Sequence, residues 1–130
     1  MPWVEVFAVL VVSHAAGDFL LQTDWQATHK GGGLNGDRER RRALLSHVVT
    51  YTLAFVPALI WLADDTSALG EIALLVGIAV PHAVIDDGRA LAAYVRTVKH
   101  VEPAPGPLMM AIDQSVHLVI LFGLALAFGA

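Results

Sequence analysis

The chain contains no cysteine, which excludes disulfides, thiolate metal sites and cysteine nucleophiles. Charge is also scarce, because only 15% of the residues are charged, whereas ordinary soluble domains have about 25%. The net charge is −4, so the chain lacks the basic surface of a nucleic-acid-binding protein, and we expect no nucleic-acid partner. Apolar residues dominate instead: they make up 56% of the 130 residues, and the mean hydropathy is +0.63. This composition indicates an integral membrane protein.

Four apolar runs are each long enough to cross a bilayer, which takes about 20 residues of helix. Helix is the expected conformation, because an open strand leaves its backbone groups unpaired in lipid. The sequence therefore predicts an all-α, integral membrane four-helix bundle that forms a single domain over residues 1–130. The predicted spans cover residues of about 3–22, 43–63, 69–86 and 108–128.

The basic residues are distributed unevenly over the connections between these runs. All eight Lys and Arg lie in residues 23–42 or 87–107, and the connection 64–68 has none. The positive-inside rule places the first and third connections in the cytoplasm and both termini on the non-cytoplasmic side. The expected partner is thus the lipid bilayer itself.

Ionisable side chains interrupt the apolar runs, although each costs roughly 3 kcal/mol in a membrane span. Three i,i+4 pairs occur, and such pairs lie on one helical face with Cβ atoms about 5–6 Å apart. This spacing lets one helix give two ligands to one metal. At about 1.5 Å per residue, all these groups lie roughly 5–16 Å from the cytoplasmic span ends. They are His14 with Asp18, His47, His82 with Asp86, and Asp113 with His117.

Neutral imidazole and carboxylate ligands suit a divalent transition metal, with zinc as our first choice and iron or manganese as alternatives. Four histidines and three aspartates exceed the needs of one four-coordinate ion, so we expect one or two ions. Some of the aspartates then orient ligating histidines instead of binding metal, and the sequence leaves this division open. A purely structural clamp is less favoured, because polar pairs between membrane helices contribute only about 0.6–2 kcal/mol each.

The leading functional hypothesis is a metal-dependent hydrolase that acts on a lipid, lipid-linked or phosphoester substrate at the cytoplasmic membrane surface. Its general base would be one of Asp18, Asp86 and Asp113. The candidate substrate-binding residues are Gln22, Lys30, Arg89 and Gln114. The alternatives are a metal-ion or proton transporter, for which a homodimer would be needed to form a pathway, a haem protein, and a non-catalytic membrane protein with a structural metal site.

The ordered set of polar motifs resembles a known group of bacterial membrane proteins, the DUF3307 family. The first motif is the stretch His14-Ala-Ala-Gly-Asp18-Phe-Leu-Leu-Gln22-Thr-Asp-Trp, with Lys30 following. His47, the run His82-Ala-Val-Ile-Asp86 and the run Asp113-Gln114-Ser-Val-His117 match the later motifs in order. The resemblance covers nearly the whole chain and implies a multi-pass protein of the bacterial cytoplasmic (inner) membrane. It implies no reaction, because the function of the family is uncharacterised.

Overall fold

Helices form the regular secondary structure of residues 1–129, the residues that the computed structural model describes, and no strand occurs among them. The helices are α1 (Trp3–Ala15), α2 (Asp24–His29), α3 (Arg38–Leu53), α4 (Val56–Leu62), α5 (Ala68–Asp87), α6 (Arg89–Tyr94) and α7 (Gly106–Phe128). A π-helical turn continues α1 over Ala16–Leu20, and a second one continues α6 over Val95–Lys99.

Four helical stretches are long and apolar enough to cross a membrane, and they correspond to the four predicted spans. They are Trp3–Leu20, Arg38–Leu62, Ala68–Asp87 and Gly106–Phe128. The largest difference from the prediction is at the second stretch, which begins at Arg38 and not near residue 43. The reason is a helix cap, because the Asp37 carboxylate accepts a hydrogen bond from the backbone N–H of Arg40 at 2.9 Å.

The second stretch is interrupted where proline predicts a kink. Pro57 has no N–H, so it cannot bond the Leu53 carbonyl as the next helical residue would. Helix α3 accordingly ends at Leu53, and α4 begins at Val56. The intervening turn tightens, with the Phe55 N–H donating to the Thr52 carbonyl at 3.0 Å.

The long helices pack as an antiparallel bundle around an apolar core. Helix α1 packs against α7, α3 against α5, and α5 against α7. Each of the four stretches contributes to the core, which consists of Val6, Leu10, Tyr51, Phe55, Leu62, Leu74, Ile78, Leu121 and Ala125. Except for Tyr51, this core lies to one side of the buried histidines and aspartates, which are grouped at the end of the bundle that carries the basic connections. Many outward-facing positions are also apolar.

The two basic connections are folded segments. Helix α5 ends at Gly88, which has φ +81°, a conformation that favours glycine, and a separate helix α6 follows. In the first connection, Gly32 has φ +73° and donates its N–H to the Asp87 carbonyl at 2.8 Å. The glycine-rich segment is therefore held against the end of α5 instead of acting as a flexible linker.

Candidate metal centre

The seven residues predicted as metal ligands lie together at the end of the bundle that carries the basic connections. Only Asp113 is appreciably exposed, with 25% of its side chain accessible. The cluster consists of His14 and Asp18 from the first stretch, His47 from α3, His82 and Asp86 from α5, and Asp113 and His117 from α7. Four separate helices thus bring these seven residues together, as the spacing and depth of the motifs predict.

A π-helical turn determines where the first stretch presents its aspartate. The hydrogen bond from the Leu21 N–H to the Ala16 carbonyl, 2.9 Å long, spans five residues. Such turns are frequent at functional sites, because the extra residue re-aims the side chains around it. Within this turn Asp18 is buried, and its Oδ1 atom lies 3.3 Å from Nε2 of His47.

Four potential ligand atoms face one another at the centre of the cluster: Nε2 of His47, Nε2 of His82, Oδ1 of Asp18 and Oδ2 of Asp86. Nε2 of His47 lies 3.1 Å from Nε2 of His82, 2.8 Å from the Asp86 oxygen and 3.3 Å from the Asp18 oxygen. The His82 nitrogen lies 3.2 and 3.7 Å from the same two oxygens. In a tetrahedral site with ligands at about 2.0–2.1 Å from the ion, any two ligand atoms lie about 3.3–3.4 Å apart. The four atoms therefore stand close to the spacing of a tetrahedral metal site.

The hydrogen bonds around His82 determine which of its nitrogens carries the proton. The backbone carbonyl of Asp113 only accepts, so Nδ1 of His117 donates to it at 2.9 Å. Nε2 of the neutral His117 ring is then an acceptor, and Nδ1 of His82 donates to it at 2.8 Å. This leaves a lone pair on Nε2 of His82, aimed at the centre. A hydrogen bond on the outer nitrogen is the usual arrangement for a metal-ligating histidine.

The centre of the cluster has an excess of acceptors. Oδ1 of Asp18 is buried and has no hydrogen-bond donor. Nε2 of His82 and Oδ2 of Asp86 are also acceptors. Lys30 donates to Oδ2 of Asp86 at 2.7 Å, and Nε2 of His47 can bring at most one further proton, so three acceptors face two donors. Unpaired acceptors in a buried site are costly unless a donor or a cation faces them. The set of two imidazoles and two carboxylates therefore fits a divalent transition metal.

The charge of the cluster also calls for a cation. Among the Lys and Arg side chains of residues 1–129, only that of Lys30 hydrogen-bonds to the cluster. Its ammonium donates to Asp86 at 2.7 Å and to Gln22 at 2.6 Å. With neutral histidines, this single ammonium faces the three carboxylates of Asp18, Asp86 and Asp113. Two negative charges are left, and one divalent cation would neutralise them, as buried charges require.

His14 belongs to a hydrogen-bond network beside this centre. Its Nε2 donates to the Gln114 amide oxygen at 3.0 Å, so its Nδ1 accepts from the Tyr51 hydroxyl, also at 3.0 Å. The Gln114 amide nitrogen in turn donates to Asp18 at 3.3 Å and to Asp113 at 3.0 Å. The amide thereby orients both carboxylates.

Two more groups of three potential ligands overlap with the central one. They are His14 with Asp18 and His117, and Asp86 with Asp113 and His117. Each histidine of these two groups has both ring nitrogens hydrogen-bonded to a backbone carbonyl or to a side chain outside its group. In the central group, Nε2 of His47 and Nε2 of His82 face only other members of the group. The central group of four is thus the best placed to hold an ion.

Tyr51 is a component of the site that sequence reasoning missed. Its ring stacks on the His82 ring, with centroids 3.4 Å apart and planes within 1° of parallel. An aromatic residue in an apolar span looks like ordinary core, but its position four residues after His47 places it on the same face of α3. That spacing was the signal available in the sequence.

Gly17 allows the first stretch to approach Tyr51. A Cβ atom at Gly17 would lie 2.6 Å from Cδ2 and 3.2 Å from Cα of Tyr51, and the ring cannot retreat because it stacks on His82. We expect Gly17→Ala to lower the free energy of unfolding by about 1–3 kcal/mol through overpacking. Unfolding of the purified protein in mixed micelles by added SDS measures this.

Gly123→Ala is the matched control for this prediction, because a Cβ at this exposed helical glycine meets no atom within 4 Å. The control should be unchanged or more stable, since alanine is favoured over glycine by up to about 1 kcal/mol in a helix. Equal stability of Gly17→Ala and the wild-type protein would show that the contact between the first stretch and Tyr51 is not tight.

A groove with a volume of about 490 Å³ reaches the cluster from the end of the bundle. The polar side chains that line it include two carboxylates of the centre, Asp18 and Asp86. The others are three of the predicted substrate-binding residues, Gln22, Lys30 and Gln114, together with Asp113. Apolar side chains form the rest of its wall, chiefly Phe19, Leu91, Met109 and Met110. The groove thus joins the candidate metal centre to an amphipathic surface.

Arg89, the fourth predicted substrate-binding residue, does not line this groove. Its guanidinium donates to the Asp87 carboxylate at 2.6 and 3.1 Å, and this partner raises the pKa of Arg89. Asp87 also accepts the Leu34 N–H at 2.8 Å. The pair therefore anchors the loop that follows Lys30, which places Arg89 in a supporting position beside the site.

Comparison with known proteins identifies the family but no activity. Neither the curated proteins nor the solved structures include a match to this chain. A family model described as "Protein of unknown function (DUF3307)" matches residues 6–129, a range that contains all the residues of the cluster. The chain therefore belongs to the DUF3307 family.

Proposed function

We propose that this protein is an integral membrane metalloprotein that holds one divalent transition metal on His47, His82 and Asp86, with Asp18 beside the open fourth position, and uses the metal to hydrolyse a lipid or lipid-linked ester. The observation that carries the proposal is the group of four buried acceptor atoms at nearly tetrahedral spacing, one of which has no hydrogen-bond donor. Zinc is the first choice, because it takes imidazole and carboxylate ligands in this geometry.

Membrane insertion is supported by the four apolar stretches and by their exposed apolar surfaces. Loops 64–68 and both chain ends lack basic residues, whereas all eight Lys and Arg lie at the end of the bundle that carries the groove. By the positive-inside rule, that end faces the cytoplasm and both termini lie on the other side. For a member of a bacterial family this means the cytoplasmic membrane, with the site near its inner headgroups.

Hydrolysis is supported by the connection between the donor set and the groove. A bound divalent metal would activate a water and polarise a phosphoryl or carbonyl oxygen. Asp18 is placed to take the proton from that water, because its Oδ1 atom has no donor and its side chain lines the groove. Lys30 and Gln22 can bind an anionic head, and Phe19 and Met109 can hold an apolar chain.

Transport of the metal across the membrane is supported less well. The core that separates the site from the far ends of the helices contains no acidic, basic or histidine side chain among the described residues. Glu5 and Glu71 lie beyond it, near the far ends of α1 and α5. An ion leaving the cluster in that direction would lose all its ligands, which makes a one-sided site the better interpretation.

The test of hydrolysis is an Asp18→Asn variant with metal content and turnover measured on the same sample. The substrates are chromogenic nitrophenyl phosphates and carboxylic esters with and without an alkyl chain. We expect turnover by the wild-type protein with zinc to fall by about 10²–10⁴-fold in the variant, the usual contribution of a general base. Metal content should stay near the wild-type value, because His47, His82 and Asp86, the three proposed ligands, are unchanged.

Asp24→Asn is the control, since Asp24 is an exposed acidic residue at the start of α2. Retained turnover in Asp18→Asn would assign the base to another residue. A metal-loaded wild-type protein that cleaves none of these esters would favour a structural metal site, for which four protein ligands are typical.

A further inference from the structure

Three arginines in the first turns of α3 have no acidic partner. Arg38, Arg41 and Arg42 are exposed, and none forms an ion pair within residues 1–129. The neighbouring acids are engaged elsewhere: Asp37 lies 3.9 Å from Arg40, and Glu39 lies 3.9 Å from His29. Cations at a helix N-terminus oppose the helix dipole, which favours anions there. This surface therefore has uncompensated positive charge from the three arginines and from the N-terminal end of the helix dipole.

Two depressions meet at these arginines. One, of about 550 Å³, lies between Trp25 and the start of α3 and is lined by Trp25, Arg38, Glu39 and Arg42. The Arg42 guanidinium stands over the Trp25 ring, 5.8 Å from its centroid. The other, of about 660 Å³, begins at the same arginines and continues along α3 past Leu45 and Val49. A polar, positively charged end thus leads directly into an apolar groove.

The length of the second helical stretch places the arginines at the level of lipid headgroups. Arg38–Leu62 has 25 residues, whereas the hydrocarbon core of a bilayer takes about 20 residues of helix. Counting back from Leu62, the core is spanned by about Ala43. The turn that carries Arg38, Arg41 and Arg42 then projects into the headgroup layer. Leu45 and Val49 lie in the part of the hydrocarbon core next to those headgroups.

We propose that this surface is a binding site for an anionic phospholipid, separate from the candidate metal centre. The headgroup phosphate accepts hydrogen bonds from Arg38, Arg41 and Arg42, whose forked donors match phosphate oxygens. One acyl chain lies in the groove along Leu45 and Val49, and Trp25 closes the headgroup side. The inference rests on the proposed membrane insertion but not on a metal or on hydrolysis.

Fluorescence of Trp25 tests the proposal, because the indole lines the predicted headgroup site. Trp3→Phe/Trp61→Phe leaves Trp25 as the remaining tryptophan, and the protein is reconstituted in phosphatidylcholine vesicles. Two samples are compared, each with a minor fraction of lipid that is brominated on its acyl chains. The brominated lipid is phosphatidylglycerol in one sample and phosphatidylcholine in the other. We expect stronger quenching by brominated phosphatidylglycerol. Arg38→Gln/Arg42→Gln should reduce this preference about five-fold for each arginine removed.

Arg40→Gln/Arg96→Gln is the matched control, since it removes the same charge while Arg40 already lies near Asp37 and Arg96 lies in another connection. This control should retain most of the preference. Arg38→Lys/Arg42→Lys keeps the charge that determines membrane orientation and loses the forked donors, so its preference should be intermediate. Equal effects of the glutamine variant and its control would reduce the site to general charge attraction and overturn the proposal.

Two further outcomes are distinguishable. Equal quenching by the two brominated lipids would overturn the phospholipid site, and so would loss of the preference on adding soluble glycerol phosphate, which would indicate a site for free anions. Membrane insertion is checked separately with Trp25→Phe, in which Trp3 and Trp61 report from the opposite end of the bundle. Absence of any quenching there by brominated phosphatidylcholine would contradict the membrane placement itself.

Discussion

Replacing His82 by alanine is expected to remove the bound metal. The variant deletes the nitrogen whose lone pair faces both carboxylates of the centre, at 3.2 Å from Asp86 and 3.7 Å from Asp18. Loss of a residue that only orients a ligand already costs about 10–100-fold in metal affinity, so loss of a ligand should cost at least about 100-fold. Elemental analysis of detergent-purified protein should find one ion per wild-type chain and almost none in the variant.

His29→Ala is the matched control, because this histidine is partly exposed, with 41% of its side chain accessible, and lies outside the cluster. Helix content from circular dichroism should be similar in all three proteins, which separates loss of a ligand from loss of the fold. Absence of metal from a folded wild-type protein would contradict the metal centre. The cluster would then be a set of hydrogen bonds that clamps the helices.

Replacing His117 by alanine is expected to weaken metal binding by about 10–100-fold without removing a central ligand. His117 accepts the hydrogen bond from Nδ1 of His82 at 2.8 Å and thereby keeps the lone pair of His82 on Nε2. Without this acceptor, His82 can adopt the other tautomer, which carries a proton on the ligating nitrogen. Competition with a fluorescent zinc chelator measures the change in affinity. His117→Gln should restore much of it, because an amide oxygen can accept the same hydrogen bond.

Asp113→Ala tests how His117 is held and how many ions bind. The Nδ1 atom of His117 donates to the backbone carbonyl of Asp113, at 2.9 Å, and lies 3.6 Å from its carboxylate. Alanine keeps the carbonyl, so the metal affinity of Asp113→Ala should fall only a few-fold below that of the wild-type protein. This loss is smaller than the one expected for His117→Ala. A loss as large as in His117→Ala would mean that Asp86, Asp113 and His117 hold the ion. A fall from two ions per chain to one would show that the cluster binds a pair.

The spacing of the polar residues was enough to predict most of the cluster. A charged group in an apolar span is costly, so each one stands out in the sequence, and the i,i+4 spacing assigns His82 and Asp86 to one face without any tertiary information. Tyr51 and Gly17 do not stand out, because an aromatic residue and a glycine are common in apolar helices. Their roles depend on what the neighbouring helix brings against them, which is the ring of His82 in one case and that of Tyr51 in the other.

Arg89 and Lys30 illustrate the limits of reading connections from sequence. Both are basic residues near the ends of predicted spans, and both were candidates to bind substrate. Lys30 does reach the cluster, where it donates to Asp86, whereas Arg89 is engaged by Asp87 outside the groove. The difference arises from the path of the glycine-rich loop, in which Gly33 packs so closely on α3 that a Cβ would lie 2.6 Å from Leu44.

The amino-acid sequence by itself determined that the chain forms four apolar helices with a cluster of histidines and aspartates at one common depth. Hydrophobic length, the scarcity of charge and helical periodicity are local properties, so they can be read along the chain. Only the tertiary structure decided which atoms converge. Distances between helices and the order of donors and acceptors selected His47, His82, Asp18 and Asp86 as the central set, and placed His14 and His117 beside it. These relations depend on packing between residues far apart in the chain, and no local pattern specifies them.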